Sequence, residues 1–168
     1  MADADTTKRR TRVTDDIDPA PPEPTATTGF DTRGYVLDAQ VGFLLRKAYQ
    51  RNSLIFADLI PGSLTTTQFS VMFRLAEQGP MSQNMLGRSV AMDGATTKGV
   101  VDRLVARDIL RTDPDPDDRR RYIVSLTQDG ETLLAQAIHR AHEVTRTTLS
   151  PLKPNERKTL LRLLGKIT

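Results

Sequence analysis

The side chains most able to do chemistry are few, and they cluster. His139 and His142 stand three apart, which puts both on one flank of a helix. A metal site would need a third ligand, and no aspartate, glutamate or cysteine set with a recognised spacing stands near them. Surface or hinge positions are therefore the first expectation for both histidines, ligand contact the second. The chain has no cysteine. That excludes disulfides, thiolate metal sites, cysteine nucleophiles and thiol-based redox sensing within it. No nucleophile–base constellation or phosphate-binding glycine loop is present either, so the sequence does not read as an enzyme and calls for no cofactor. What remains is charge. Asp113, Asp115, Asp117 and Asp118 run directly into Arg119, Arg120 and Arg121. The acids would repel a polyanion, so Asp113, Asp115 and Asp117 are expected to face solvent or pair with Arg119 and Arg121.

The elements that must position these groups follow from apolar spacing. From Tyr35 onward, Leu37, Val41, Leu44, Leu45, Ala48, Ile55, Phe56 and Leu59 recur at helical intervals until Pro61-Gly62 ends the run. Thr65-Thr66-Thr67 starts a second helix with Phe69, Met72, Phe73 and Ala76 as its stripe, and Gly79-Pro80 stops it. Ser82 and Asp93 are each suited to cap a shorter helix, their side chains accepting from free backbone N–H groups. In the helix after Asp93, Thr97, Val101 and Leu104 share one face. Ala95, Thr96, Lys98, Gly99, Asp102 and Arg103 fall on the flanks or opposite it. A helix that presents small, polar and basic groups outward is suited to a major groove. Ile109–Thr112 and Tyr122–Thr127 read as two strands flanking the charged tip, and Thr127 caps a long helix striped by Leu134, Ala137, Ile138, Ala141 and Val144. A last helix after Pro154 carries Leu160, Leu161, Leu163, Leu164 and Ile167.

The fold class expected is mainly α with a small β-hairpin wing, a winged helix-turn-helix inside a helical dimerisation frame. Residues 1–32 read as a disordered tail, because DPAPPEPTATTG suits neither a helix nor a core. The KRRTR cluster within it suits phosphate contact, though a solvated tail is the plainer expectation. Residues 33–168 form the domain, with 33–62 and 128–168 as dimerisation helices and 63–127 as the winged helix-turn-helix. The outer helices hold more apolar surface than one wing domain can cover, which points to a homodimer. The whole chain carries a formal +3, while the acids of the tail outnumber Lys8, Arg9, Arg10 and Arg12, so the folded part is the basic part. No stretch approaches the roughly 20 apolar residues that span a bilayer. The N-terminus lacks the apolar core of a secretory signal, so no membrane partner is expected and the cytoplasm is the expected location.

The segment MDGATTKGVVDRLVARDILRTDPDPDDRRRYIVSLTQDGETLL resembles the signature region of the MarR family, most closely in VVDRL, PDPDDRR and VSLTQDG. The likeness extends from Val36 to the C-terminus and omits only the tail. It implies a dimeric transcriptional regulator that binds a pseudopalindromic double-stranded operator, with one helix in the major groove and the wing in the flanking minor groove. By that resemblance Ser82 and Gln83 hold phosphates, Ala95, Thr96 and Lys98 face bases, and Arg103 supports backbone contacts. Asp118 and Arg120 match the family's wing acid and base, with Arg119 beside them. A narrow minor groove has an enhanced negative potential, and a carboxylate holds a guanidinium by paired hydrogen bonds. Two departures stand out: Gly99 where many members carry arginine, and Asp108 in place of the usual glycine, where a left-handed backbone is expected.

VGFLLRKAYQR, together with MDGATTKGVVDRL, is similar to a subset linked to catabolism of aromatic and N-heteroaromatic carboxylates, nicotinate-type compounds among them. The resemblance implies a small aromatic acid effector in a cleft between frame and wing domain. A carboxylate ligand needs a cation and an aromatic or apolar wall. Arg46, Tyr49 and Phe69 are the candidates, with Met72 as packing and His139 and His142 as polar partners. Phe69 and Met72 read equally as core and Arg46 as a surface charge. The function expected is a repressor released from its operator by such an acid, and the alternative is a non-sensing DNA-organising protein of the same fold.

Overall fold

The computed structural model describes residues 33–116, 118 and 121–168. The described residues fall into two compact units, 33–44 and 45–168. In the first, a 3-10 helix at Leu37–Ala39 precedes the opening turn of α1 (Val41–Leu59). The helix read from Tyr35 onward is therefore interrupted. Gln40 is extended (φ −83°, ψ 129°), so the helical backbone stops at Ala39 and resumes at Val41.

In the second unit α1 is followed by α2 (Thr66–Gln78), β1 (Met81–Ser82), α3 (Gln83–Ser89), α4 (Gly94–Val105), β2 (Leu110–Pro114), β3 (Tyr122–Leu126), α5 (Gln128–Thr148) and α6 (Pro154–Leu164). The starts of α2 to α6 have local causes. Thr65 and Gln68 form a reciprocal capping box on α2, Ser82 caps α3, Asp93 caps α4 and Thr127 caps α5. Pro154 occupies the first turn of α6, where its missing N–H costs nothing. The turn between α4 and β2 passes through Asp108 at φ +56°, the left-handed conformation expected there.

The sheet has three antiparallel strands in the order β1–β3–β2. Leu110 pairs with Leu126 and Pro114 with Tyr122, while Met81 pairs with Val124. β1 is an addition to the two strands legible in the sequence. It is two residues long and exists because it pairs with β3.

The core gathers Val71, Met72 and Leu75 of α2, Leu86 of α3, Val100, Val101 and Leu104 of α4, Val124 of β3, and Leu134 and Ala137 of α5, all at most 3% exposed. Full burial of each large apolar side chain contributes about 1.5–3 kcal/mol, so this cluster is what fixes α4 against the rest. α6 buries no residue, and it leaves Leu161 53% and Leu163 47% exposed, with Ile167 just beyond it at 67%. On α1, Leu45 and Leu54 are likewise exposed. Among the described residues no helix is long and apolar enough to cross a membrane.

Candidate nucleic-acid interface

The α3–turn–α4 unit is built by close backbone approach. A Cβ on Gly87 would stand 2.7 Å from Thr97 Oγ1 and 3.1 Å from the Met92 carbonyl oxygen, so α3 meets the start of α4 where only glycine fits. Thr97 is fully buried and its hydroxyl donates to the Asp93 carbonyl at 2.7 Å, which satisfies a polar group that would otherwise be costly to bury. Between the helices Ala91 turns the chain at φ +54°. Ser82 accepts from the Met85 amide at 3.4 Å, with Gln83 next to it at the start of α3 and half-buried.

Asp93 accepts from both the Thr96 amide (2.9 Å) and the Thr96 hydroxyl (2.7 Å). These bonds, the backbone one foremost, hold its carboxyl below the ordinary aspartate value of 3.8. The cap sets the phase of α4. Thr97, Val100, Val101 and Leu104 turn inward, and Ala95, Thr96, Lys98, Asp102 and Arg103 are exposed. Lys98 Nζ lies 2.6 Å from Asp102 Oδ2 one turn on. With both partners more than half exposed, that pair contributes little to stability but restrains the lysine. The guanidinium of Arg103 lies over Gly99, its Nη1 3.4 Å from where a Cβ would be.

In the wing, the Asp115 amide donates to the Arg121 carbonyl (2.9 Å) and the Arg121 amide to the Asp118 carbonyl (2.8 Å). Asp115 is buried, and Arg121 Nε lies 3.8 Å from its carboxylate. Arg111 Nε stands 3.4 Å from Asp113. Asp113 and Asp115 are thus each beside an arginine, Asp115 turned inward toward Arg121 as expected and Asp113 beside Arg111 rather than Arg119 or Arg121. Asp118 is half-buried, and Arg119 and Arg120 lie outside the described residues, as does Asp117.

Behind α4 is a cavity of about 600 Å³. Its walls are Tyr49, Ser53 and Ala57 of α1, Ser63 and Leu64 of the following loop, Thr65–Thr67 at the start of α2, and Thr96, Val100 and Arg103 of α4. The lining is rich in hydroxyls, has Arg103 as its cation, and includes the first turn of α2, where backbone N–H groups lack intrahelical partners. Tyr49 Oη lies 2.8 Å from Thr66 Oγ1. The hydroxyls of Thr66 and then Thr67 favour the phenolate and lower its pKa, against the opposing effect of burial. Ser53 is close enough to act in the same direction but lies outside hydrogen-bonding geometry, so its buried Oγ has no partner among the described residues.

The structure does not bring the six effector candidates together. Tyr49 lines this cavity. Arg46 is exposed on α1 and is not among the lining residues, so the cation of the cavity is Arg103, a residue the resemblance assigns to DNA-backbone contacts. Met72 is fully buried in the core, and Phe69 packs edge-on against Phe56 and stacks with Phe73, the core alternative for both. His139 and His142 are exposed on α5, with His139 beside a separate shallow hollow that includes Asp58 and Gln136. Among the described residues no group of three metal-ligating side chains forms around them. The threonine run at 65–67 and the serines at 53 and 63 carried no separate signal, because a helix start and a loop account for them locally.

Residues 64–122 match the model described as the MarR family. The chain is 41% identical over 138 residues to the HTH-type transcriptional repressor NicR of Pseudomonas putida, covering 82% of this chain and 87% of that one. A crystal structure of a probable transcriptional regulator from Pseudomonas aeruginosa superposes with a TM-score of 0.75 at 46% identity, covering 79% of this chain and all of that one (100%). BpsR of Bordetella bronchiseptica, whose DNA binding is regulated by 6-hydroxynicotinic acid, superposes with a TM-score of 0.73 at 42% identity over 79% of this chain and 96% of its own. With a capped, outward-polar α4, a three-stranded wing and likeness across most of the chain, this protein belongs to the MarR family and is a DNA-binding transcriptional regulator, not an enzyme.

Proposed function

We propose that the protein is a homodimeric repressor that holds a pseudopalindromic operator and is released from it by a small aromatic carboxylate of the nicotinate type. The observation that carries this reading is that α4 serves two surfaces. Thr96 and Arg103 are exposed on the flank of α4 away from Lys98, and the same two residues line the cavity beside the helix. A group bound there acts on the reading head itself. Regulation of BpsR by 6-hydroxynicotinic acid, and the repressor role of NicR, support the effector class and the direction of control.

In this reading Ser82 and Gln83 contact phosphates, Ala95, Thr96 and Lys98 face base edges, and the wing lays Arg120 in the minor groove with Asp118 and Arg119 beside it. Residues 33–62 and 128–168 supply the dimer contacts, and 63–127 the winged helix-turn-helix. Two half-sites one helical turn apart require recognition helices roughly 34–36 Å apart. An acid held by Arg103 and the hydroxyls of Thr65–Thr67 shifts the population toward a different spacing. It does so only by as much as it prefers that state. Arg103 engaged with a carboxylate is also withdrawn from phosphate.

The test is fluorescence anisotropy with DNA flanking the gene against random DNA across a salt series, with and without 6-hydroxynicotinate. Arg103→Ala is expected to flatten the slope of log K against log salt by about one phosphate's worth. Lys98→Ala and Arg120→Ala are expected to weaken binding without unfolding the chain. Equal affinity for flanking and random DNA refutes the operator reading. Sequence-indifferent binding that no aromatic acid alters would instead assign the fold to DNA organisation without sensing.

A further inference from the structure

The turn that ends α4 is attached to the rest of the unit at two places. Thr127 Oγ1 donates to the Asp108 carbonyl at 2.7 Å, which joins the turn to the start of α5. One residue earlier, Arg107 Nη2 donates to the Gly62 carbonyl at 2.5 Å, reaching the loop that follows α1. That acceptor is firmly seated. Gly62 (φ +72°) and Ser63 (φ +48°) are successive left-handed residues, a backbone that persists only where its surroundings hold it. A Cβ on Gly62 would stand 2.6 Å from Leu133 Cδ1 of α5, and Leu64 is 2% exposed. A hydrogen bond to a loose loop fixes nothing, whereas this one reaches a carbonyl braced against α5. On the flank of α4 that leads to Arg107, Thr96, Val100 and Arg103 border the cavity, so that flank meets a hollow. One attachment leaves a pivot, and two fix a direction.

We propose that Arg107 is a positioning residue for DNA reading. Its bond to Gly62 fixes the direction in which α4 is presented, and with it the spacing of the two recognition helices of a dimer. This rests on the reading of the protein as a dimer on paired half-sites. A cation at the end of a recognition helix has a rival role, direct contact with a phosphate, and the two roles leave different signatures. A phosphate contact releases counterions and adds to the salt dependence of binding, whereas a bond inside the protein changes geometry and leaves that dependence alone. One base pair added between half-sites moves them about 3.4 Å along the duplex and about a tenth of a turn around it. Tolerance of altered spacing therefore reads the direction of α4.

The experiment begins with selection of duplex DNA from a randomised library by the 168-residue chain. The selected sequence is then titrated by fluorescence anisotropy with its spacer unchanged, lengthened and shortened by one base pair, across a salt series. The natural sequence, Arg107→Ala and Arg107→Lys are compared. Arg107 is exposed, so these substitutions leave the core intact, and melting curves without DNA establish that each variant is folded. The natural sequence is expected to lose affinity by roughly tenfold or more with either altered spacer. Arg107→Ala is expected to reduce that penalty by about fivefold, the scale of one hydrogen bond, with the slope of log K against log salt unchanged. Arg107→Lys keeps the charge on a different donor, so its penalty falls between the two. A flattened salt slope with the spacer penalty intact makes Arg107 a phosphate contact and overturns the proposal. A penalty and a slope that both equal those of the natural sequence overturn it as well, and leave the paired half-sites standing. A natural sequence that binds all three spacers equally removes the reading of paired half-sites and the role of Arg107 together.

Discussion

The carbonyl oxygen of Ile109 lies 2.1 Å from the position a Cβ on Gly130 would occupy. The same oxygen accepts from the Thr127 amide at 3.1 Å, and Thr127 Oγ1 in turn accepts from the Gly130 amide at 3.0 Å and donates to the Asp108 carbonyl at 2.7 Å. The start of α5, the end of β3 and the left-handed turn after α4 are thereby joined at one point. Gly130→Ala drives a methyl group into backbone that has no room to yield. It is expected to destabilise the fold by about 3 kcal/mol, read as a lowered melting temperature. A melting temperature equal to that of the natural sequence would contradict the close approach.

Gly99 is the opposite case. The nearest atoms to a Cβ there belong to the guanidinium of Arg103, the far end of a flexible side chain. Gly99→Ala is therefore expected to stabilise α4 by about 1 kcal/mol, the difference in helix propensity. Chemical denaturation measures it directly, and a loss of stability would show that Arg103 is not free to move.

Asp93 gives the fold a pH dependence of known sign. Its folded-state pKa lies below the ordinary value of 3.8, so its capping stabilisation is fully present above that value and is lost as pH falls through the folded value. Asp93→Asn keeps the cap oxygen and removes the charge. The natural sequence is expected to melt at a higher temperature than this variant at neutral pH, with the gap closing in the acid range. A gap that stays constant from neutral pH down to acid would rule out the charge as its source.

The apolar side chains that α6 leaves exposed predict an oligomer. Leu161 and Leu163 together leave more apolar surface in water than a monomer ordinarily tolerates. Leu161→Asp combined with Leu163→Asp is expected to shift sedimentation from dimer to monomer and to weaken operator binding at least tenfold, since a half-site alone contributes only part of the affinity. A dimer that persists in the double variant would move the interface off α6.

Much of this protein is set by short-range rules, which is why it is legible in one dimension. A cap and the residues it bonds lie within three positions of each other, so Thr65, Ser82, Asp93 and Thr127 could be assigned from type and spacing. The inward face of α4 follows from helical periodicity, whereas the left-handed turn at Asp108 is expected only from the resemblance to the MarR family, whose usual residue there is glycine. Tertiary packing decided what no local rule contains. β1 is two residues long and carries no pattern of its own, so it exists only through β3. The need for glycine at 130 arises from a carbonyl 21 positions earlier in the chain. The cavity collects hydroxyls from α1, a loop, the start of α2 and α4, so its cation is Arg103 of α4 rather than Arg46. Met72 could not be sorted between pocket and core by its spacing, because helical periodicity names the side of a helix that turns inward and not whether another side chain or a hollow lies opposite it.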